Sequence, residues 1–301
     1  MNASPIERLK HRARVAAGAC LHAAGLYRRL LPLFQPRPNE PLRRLQAYLH
    51  HYYLQVESAE AELHLPGLGL RVACDIKDHM LWYHLEGKIG LYEQLDIDHC
   101  RALVRPGDHI LDIGANHGFW GWGLAQRAGG GAVAYLCEPN PTILRRLRRT
   151  ARLNPGIDAR ILPYAIGDGT AGTLTFYLPT GNLSGLGSTV LHPLAREKGY
   201  LLEEQRCTVA SRSIDQLVEA GAIERIDVMK IDVEHAEDHV VRGAEAALAR
   251  WLPRLVMVET APDSRAAAHL RALGYASYRL DADGARLPVE PGFWGNIFFT
   301  R

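Results

Sequence analysis

The stretch "DHILDIGANHGFWGWG" (residues 108–123) runs from an apolar strand into a glycine-bearing bend and on into a helix. Asp112 closes the strand, and Gly114, Asn116, Gly118 and Gly121 follow it. A dinucleotide loop needs G-x-G-x-x-G, whose middle glycine lets the backbone approach a pyrophosphate. Asn116 stands in that middle place. Asparagine is the side chain most tolerant of left-handed backbone angles, so the bend survives and gains a polar group. The pattern D-x-G-x-N-x-G therefore suits a nucleoside ligand with a small polar tail. Backbone N–H groups at the start of the following helix can bind a carboxylate.

Outward from this stretch, apolar strands and helices alternate. "AVAYLCE" (132–138), "ARILPYAI" (159–166), "IDVMKID" (226–232), "RLVMVET" (254–260), "YASYRL" (275–280) and "NIFFTR" (296–301) read as strands. "GTLTFYL" (172–178) reads as an edge strand or ribbon, and "CTVAS" (207–211) as a short strand. Helices are expected over residues 118–128, 142–153, 214–220, 236–249 and 264–273. Near-continuous apolar strands between helices predict a mostly parallel α/β sheet covered on both faces. Ligands in such sheets lie beyond the carboxyl ends of the strands, so the residues just after each strand are the candidates.

Glu138 ends the second strand, twenty positions after Gly118, where an acid can accept both hydroxyls of a ribose. In "EPNP", Asn140 and Pro141 already supply a helix cap and a first helical residue, which leaves Glu138 free for a ligand. Asp168, in "AIGD", could accept from an exocyclic amine such as that of adenine, while an Asp-Gly turn is also an ordinary loop signal. "KIDVEHAEDH" (230–239) places four carboxylates and two histidines beyond the fourth strand. Asp232 sits at the strand tip, facing ligand and substrate, and Glu237 belongs to the same rim. His235 and His239 are four apart, but H-A-E-D-H is not the H-E-x-x-H of a zinc helix, and no metal is expected. A base that titrates near neutrality suits removal of a hydroxyl proton, which makes His235 a candidate beside Asp232. Glu259, in "VET", lies on the same rim as the others.

The chain has 301 residues, 47% of them hydrophobic, enough for one large α/β core with an appendage. Its net charge is +2, too small to imply nucleic-acid binding. Residues 1–50 carry +7 of charge and the remainder −5. Pro5 to Leu31 reads as a basic helix, "PLFQPRPNEP" (32–41) as a stiff linker and Leu42 to Leu54 as a second helix. The basic helix is expected to pack on the chain itself or on a second copy, or to lie at an anionic membrane surface. Five scattered cysteines without a C-x-x-C pair predict neither a disulfide framework nor a zinc ribbon, and a cytoplasmic setting. The run "VAAGA" before Cys20 is too short for a signal-peptide core. The division expected is a basic extension (1–56), a small hairpin and helix leading into the core (57–104) and the ligand-binding domain (105–301).

Together, "GLYEQ" (90–94), "PGDHILDIGANHGFWG" (106–121), "CEPNP" (137–141), "AIGD" (165–168), "GNLSGLGSTV" (181–190), "SIDQL" (213–217), "IDVMKIDVEHAEDHVVRGAE" (226–245) and "LVMVE" (255–259) resemble the FkbM-type family of S-adenosylmethionine-dependent methyltransferases. The resemblance spans residues 90–260. It implies a Rossmann-like class I methyltransferase fold, a seven-stranded, mostly parallel sheet with an antiparallel last strand. It implies further that Asp112, Gly114, Asn116 and Gly118 cradle the methionine end of S-adenosyl-L-methionine, that Glu138 holds the ribose and that Asp168 lies near adenine. Asp232 would border the methyl group, while Glu93 and the loop carrying Asn182 and Ser184 would line or cover the pocket. His235 departs from the family pattern, in which glycine is usual there. The function expected is methylation of a hydroxyl on a glycan or small secondary metabolite. The competing readings are an NAD-type oxidoreductase, disfavoured by Asn116, and a non-catalytic docking module.

Overall fold

The computed structural model describes residues 60–65, 67–75, 78, 80, 90–180 and 183–301. The basic helix, proline-rich linker and second helix expected within residues 1–56 lie outside them, as does Asn182. Glu93 is described in its backbone alone.

In chain order the elements are β1 (Glu60–Leu65), β2 (Leu70–Asp75), α1 (Gly90–Arg101), β3 (His109–Ile113), α2 (Phe119–Ala128), β4 (Val133–Cys137), α3 (Pro141–Leu153), β5 (Asp158–Leu162), β6 (Ala165–Ile166) and β7 (Thr173–Pro179). A 3-10 turn (Ser184–Leu186) precedes α4 (Pro193–Glu197), β8 (Leu201–Arg212), α5 (Ile214–Glu219), β9 (Val228–Ile231), α6 (Glu237–Arg242) and α7 (Glu245–Trp251). β10 (Leu255–Thr260), α8 (Arg265–Ala272), β11 (Ala276–Leu280), β12 (Arg286–Leu287) and β13 (Gly295–Thr300) complete the chain.

The main sheet has the order β12-β11-β13-β10-β9-β3-β4-β5. β10, β9, β3, β4 and β5 run parallel to their neighbours, and β13 is antiparallel to β10. This is the class I methyltransferase strand order, with the short β12 added at the edge. From β3 the chain builds outward through β4 and β5, then returns to place β9 on the other side of β3. The switch point falls between β3 and β9, where an open α/β sheet leaves its ligand crevice.

Neighbouring residues of one strand serve different cores. Ile110 packs with Trp122, Leu147 and Val72 on one face, and Leu111 with Val240, Leu248 and Leu270 on the other. Burial on both faces explains the unbroken apolar runs. The β1–β2 hairpin and α1 contribute Leu70, Val72, Ile97 and Cys100 to the first of these cores.

The structure differs from the expected elements in three places. "ARILPYAI" is two strands in two sheets, because Pro163 lacks the N–H to continue the ladder, and β6 pairs instead with β8. β8 spans twelve residues and also pairs with β7, so the expected edge strand belongs to a separate three-stranded sheet. The helix expected over 236–249 breaks at Gly243, where a Cβ would stand 2.0 Å from the Gly167 carbonyl oxygen. The chain must turn there for the two backbones to meet.

Candidate active site

A cavity of about 210 Å³ opens at the switch point. One wall is the loop after β3 with the end of β4, the other the ends of β9, β10 and β13, and the 184–189 segment lies across them.

The β3 loop is built by its backbone angles. Gly114 has φ 78°, and a Cβ there would fall 1.7 Å from the Asp232 carbonyl oxygen, so only glycine lets this loop touch the end of β9. Asn116 adopts φ 47°, the left-handed angle read from its place in the sequence. Its Nδ2 donates to Ser184 Oγ at 3.3 Å, tying the bend to the covering segment. Ser184 in turn donates to Asp78 at 2.7 Å, and Asp78 lies 3.1 Å from His117 Nε2. Glu138 lines the cavity and accepts from the backbone N–H groups of Asn116 (2.9 Å) and Asn140 (2.7 Å). Burial pushes its pKa up to about 7 against those two hydrogen bonds. The carboxylate thus orders the loop while facing the cavity.

Two residues expected to touch the ligand here do not line the cavity. Asp112 is fully buried beneath the loop and accepts from Gly121 N at 2.9 Å. Burial raises its pKa, and the Lys230 charge opposes the rise. Gly118 caps α2 at φ 75°, and a Cβ there would strike the Trp122 ring at 2.3 Å. Both build the loop from behind, because a tight strand-to-helix turn needs an acceptor under it and a residue free to turn left-handed.

Asp168 is also absent from the lining. Its carboxylate accepts from Thr170 and holds His239 Nδ1 at 2.9 Å and Arg242 at 3.3 Å. The Thr170 hydroxyl, then His239, hold its pKa well below the ordinary carboxylate range. Tyr164, Ala165 and Ile166 bring that segment to the cavity instead.

The opposite wall is crowded with acids. Asp232, Glu234 and Glu259 bring carboxyl oxygens within 4.8 Å of one another. Lys230 Nζ lies 2.8 Å from Asp232 Oδ2. Burial alone would raise the Asp232 pKa, but the Lys230 charge and hydrogen bond, with a hydrogen bond from Glu259, bring it below the usual value. Burial, then the Asp232 and Glu234 charges, push Glu259 up to about 9. Glu234 is raised to about 8 by burial and by Asp232. Asp232 is therefore the ionised member, with Glu259 a protonated partner that donates to it. Asn296, in register with Glu259 on β13, completes the wall and donates to Asp96 at 2.7 Å.

Glu237 and the two histidines stand apart from this wall. Glu237 is buried and accepts from Val233 N and His235 N, which fixes the turn before α6. That turn holds two successive non-glycine residues at positive φ, Glu234 (57°) and His235 (77°). His235 lies before the helix rather than on it, is exposed and does not line the cavity. Its ring stacks on His192 with centroids 4.0 Å apart and meets Trp294 at 5.0 Å. His239 pairs with Asp168, so the two histidines do not converge.

Lys230, Asp96 and Asn296 are lining residues that the sequence reading did not single out. Lys230 had a visible signal, one charge inside the apolar strand "VMKI". Asp96 and Asn296 had none, because they meet across 200 positions of sequence.

A family model described as the Methyltransferase FkbM domain matches residues 112–280, more than half of the chain. The chain belongs to the FkbM methyltransferase family. Among curated relatives, the 31-O-demethyl-FK506 methyltransferase FkbM of Streptomyces tacrolimicus is 29% identical over 182 residues, covering 52% of this chain and 68% of that protein. The AMB antimetabolite synthetase AmbE of Pseudomonas aeruginosa is 27% identical over 215 residues, which are 61% of this chain but 10% of that much longer protein. The crystal structure of an FkbM methyltransferase from Methylobacillus flagellatus KT superposes with a TM-score of 0.42 at 13% identity, over 94% of this chain and 60% of that one.

FkbM proteins are S-adenosylmethionine-dependent, which replaces the oxidoreductase alternative. The residues present fit that cofactor. Of the five carboxyl groups that line the cavity (Asp96, Glu138, Asp232, Glu234, Glu259), Asp232 is held ionised, which favours a cationic sulfonium. Gly114 lets the β3 loop close on the end of β9 beside the cavity, where a Cβ would strike the Asp232 carbonyl oxygen. No helix of the described residues is long and apolar enough to cross a membrane.

Proposed function

We propose that this FkbM methyltransferase acts on oxygen, methylating a hydroxyl of a glycan or small-metabolite acceptor. The observation that carries the reading is the Lys230–Asp232–Glu259 arrangement on the cavity wall next to Gly114. When bound, S-adenosylmethionine supplies an electrophilic methyl group on a sulfonium. Gly114, Asn116 and Glu138 would hold it, with Glu138 offering acceptor capacity to a ribose and the β3 loop giving backbone N–H groups to the carboxylate tail. Asp112 and Gly118 act through the shape of that loop. Glu93, Asn182 and Ser184 are taken as covering residues, a reading that Ser184 supports by its bond to Asn116.

Asp232 is the base. An acceptor hydroxyl directed at it would give its proton to this carboxylate as its oxygen took up the methyl group that the bound sulfonium supplies. Lys230 keeps Asp232 ionised and the protonated Glu259 donates a hydrogen bond to it, so that after the transfer both carboxyls carry a proton. Most of the acceleration is assigned to in-line positioning. His235, exposed and off the cavity, is not the base in this reading. The acidic wall also disfavours anionic acceptors, including nucleic acid.

Transfer of labelled methyl groups into a panel of sugars, glycolipids, hydroxylated metabolites and matched amines tests this. Label in an acid-stable, base-stable ether supports it, and label found only in amines or carboxylates overturns it. The 29% identity to a protein named for a 31-O-demethyl substrate points the same way. We also take residues 105–301 as the catalytic domain, 57–104 as the hairpin and helix completing its core, and 1–56 as a basic extension. That extension would meet a second copy or the anionic face of the cytoplasmic membrane, and liposome flotation with and without residues 1–40 checks it.

A further inference from the structure

We propose that His192, His235 and Trp294 form a shelf at the cavity mouth that seats the acceptor as a neutral, hydroxyl-bearing saturated ring of the pyranose class. The proposal rests on the hydroxyl-transfer reading above and names the acceptor for it.

The placement comes first. Thr189, Glu234 and Asn296 line the cavity, and His192, His235 and Trp294 lie three, one and two residues from them on the same three segments. Ser188 Oγ donates to the Glu234 carbonyl at 2.6 Å, which locks the first segment to the second. The two imidazoles stack at an interplanar angle of 14°, and the indole meets His235 tilted by 33°. Trp294 is nonetheless 50% exposed. An indole left open beside a cavity, with a flat neighbour already aligned, offers a face for another ring.

The backbone gives a second, independent sign. His235 sits at φ 77°, where glycine is unstrained and a side chain is not. Strained non-glycine residues persist where the side chain is held for a purpose or the surroundings force it. Here the retained group is an imidazole that extends the Trp294 face.

Chemistry then selects among ring ligands. Burial, then the charge on His192, lowers the His235 pKa, which favours an uncharged imidazole there. The ionised Asp232, the protonated Glu234 and Glu259 and the Asn296 carboxamide oxygen crowd the wall beside it, a mixed set of acceptors and donors that several hydroxyls, each able to donate and accept, would satisfy. A phenol offers one hydroxyl to that set, and an anionic acceptor is repelled by it. A pyranose offers several hydroxyls along its edge and an apolar C–H face for the stack.

Saturation-transfer NMR on the full chain with S-adenosylhomocysteine bound provides the test, with methyl α-glucopyranoside and methyl α-mannopyranoside as probes. Erythritol, phenol and cyclohexylamine serve as acyclic, flat and cationic comparators. Saturation concentrated on C–H protons of one ring face, reduced at least fivefold in Trp294→Ala and in His235→Gly, is the expected result. Calorimetric affinity for S-adenosylhomocysteine should stay within twofold, which shows that the variants are folded. Absence of signal from both pyranosides, equal signal in Trp294→Ala, or stronger signal from any comparator overturns the shelf. Labelled methyl transfer run alongside separates the two levels. A pyranoside that saturates on the shelf but accepts no methyl supports the shelf and overturns hydroxyl transfer. Ring methylation with unchanged KM in Trp294→Ala removes the shelf and leaves hydroxyl transfer standing.

Discussion

The two walls of the cavity are both acidic, yet they use their carboxyl groups in opposite ways. On the β3–β4 wall each carboxylate is answered by backbone: Asp112 by Gly121, Glu138 by Asn116 and Asn140. On the β9–β10 wall Asp232, Glu234 and Glu259 face one another, with Lys230 as the cation among the lining residues. A carboxylate satisfied by fixed N–H groups sets the shape of a loop. Carboxyls crowded together share protons and are ready to accept one more. The first wall is built to hold a ligand and the second to react with one.

Gly114 is where the walls meet, and its substitution should have the largest effect. A Cβ at 1.7 Å from the Asp232 carbonyl oxygen cannot be accommodated unless the backbone of one wall moves. Gly114→Ala should abolish measurable methyl transfer and lower stability by roughly 2–4 kcal/mol, through combined clash and positive-φ strain. Calorimetry with S-adenosylhomocysteine and thermal unfolding read both. Near-normal binding and melting would mean that the walls are not in contact at this point.

Asp232→Asn should separate the functions of the two walls. Removing a general base typically lowers turnover by about 10²–10⁴-fold. Affinity for S-adenosylhomocysteine should stay within a few-fold, since Gly114, Asn116 and Glu138 are untouched. Loss of binding equal to the loss of turnover would place Asp232 among the holding residues instead.

The division between the walls also marks what the sequence could disclose. The β3 wall was legible because its residues are local: Asn116 at a left-handed angle and Glu138 after the next strand both follow from spacing along one β-α-β unit. Asp112 and Gly118 were found as members of that unit, but chemistry alone does not separate a group that touches the ligand from one that supports the loop beneath it. The β9 wall was legible only as a concentration of acids. Which of them faces the cavity depends on the turn at 233–235, where Glu237 is drawn inward to satisfy two backbone N–H groups. Asp168 stands off the cavity lining for a related reason, since His239 and Arg242 reach it from a helix 71 and 74 residues away. The sheet itself was readable from periodicity, whereas Pro163 and Gly243 redirected elements whose apolar patterns run straight through them.

Crowded carboxyls should give the second wall a pH signature that reaches higher in pH than that of the first, where Glu138 is raised to about 7. Glu259 and Glu234 are raised from 4.5 to about 9 and about 8 in the fold. A carboxyl raised in the folded state binds its proton there more tightly than in the unfolded chain. Its stabilising contribution is complete below the unfolded pKa and is lost as pH rises toward the folded value. Stability of the ligand-free protein should therefore fall between about pH 5 and pH 9, by up to about 1 kcal/mol per pH unit for each group still titrating. Glu259→Gln keeps a donor to Asp232 and removes one titration, so its thermal unfolding should be flatter over that window. A wild-type melting profile that rises from pH 5 to pH 9 contradicts the crowded-carboxyl account.

The smallest expected effect tests whether the turn beneath the second wall stores strain. His235 at φ 77° makes two separable contributions, an unfavourable backbone and a favourable stack on His192. His235→Ala loses the stack and keeps the strained angle, while His235→Gly loses the stack and relieves the angle. The glycine variant also gains conformational freedom when unfolded, which offsets part of that relief. Relief is the larger of the two at positive φ, so His235→Gly should be more stable than His235→Ala by about 1 kcal/mol, a difference of about 2–4 °C in Tm for a domain of this size. Equal stability of the two would show that the turn adopts this angle without strain. The imidazole would then be an ordinary surface residue, not one that the fold retains against a backbone preference for glycine.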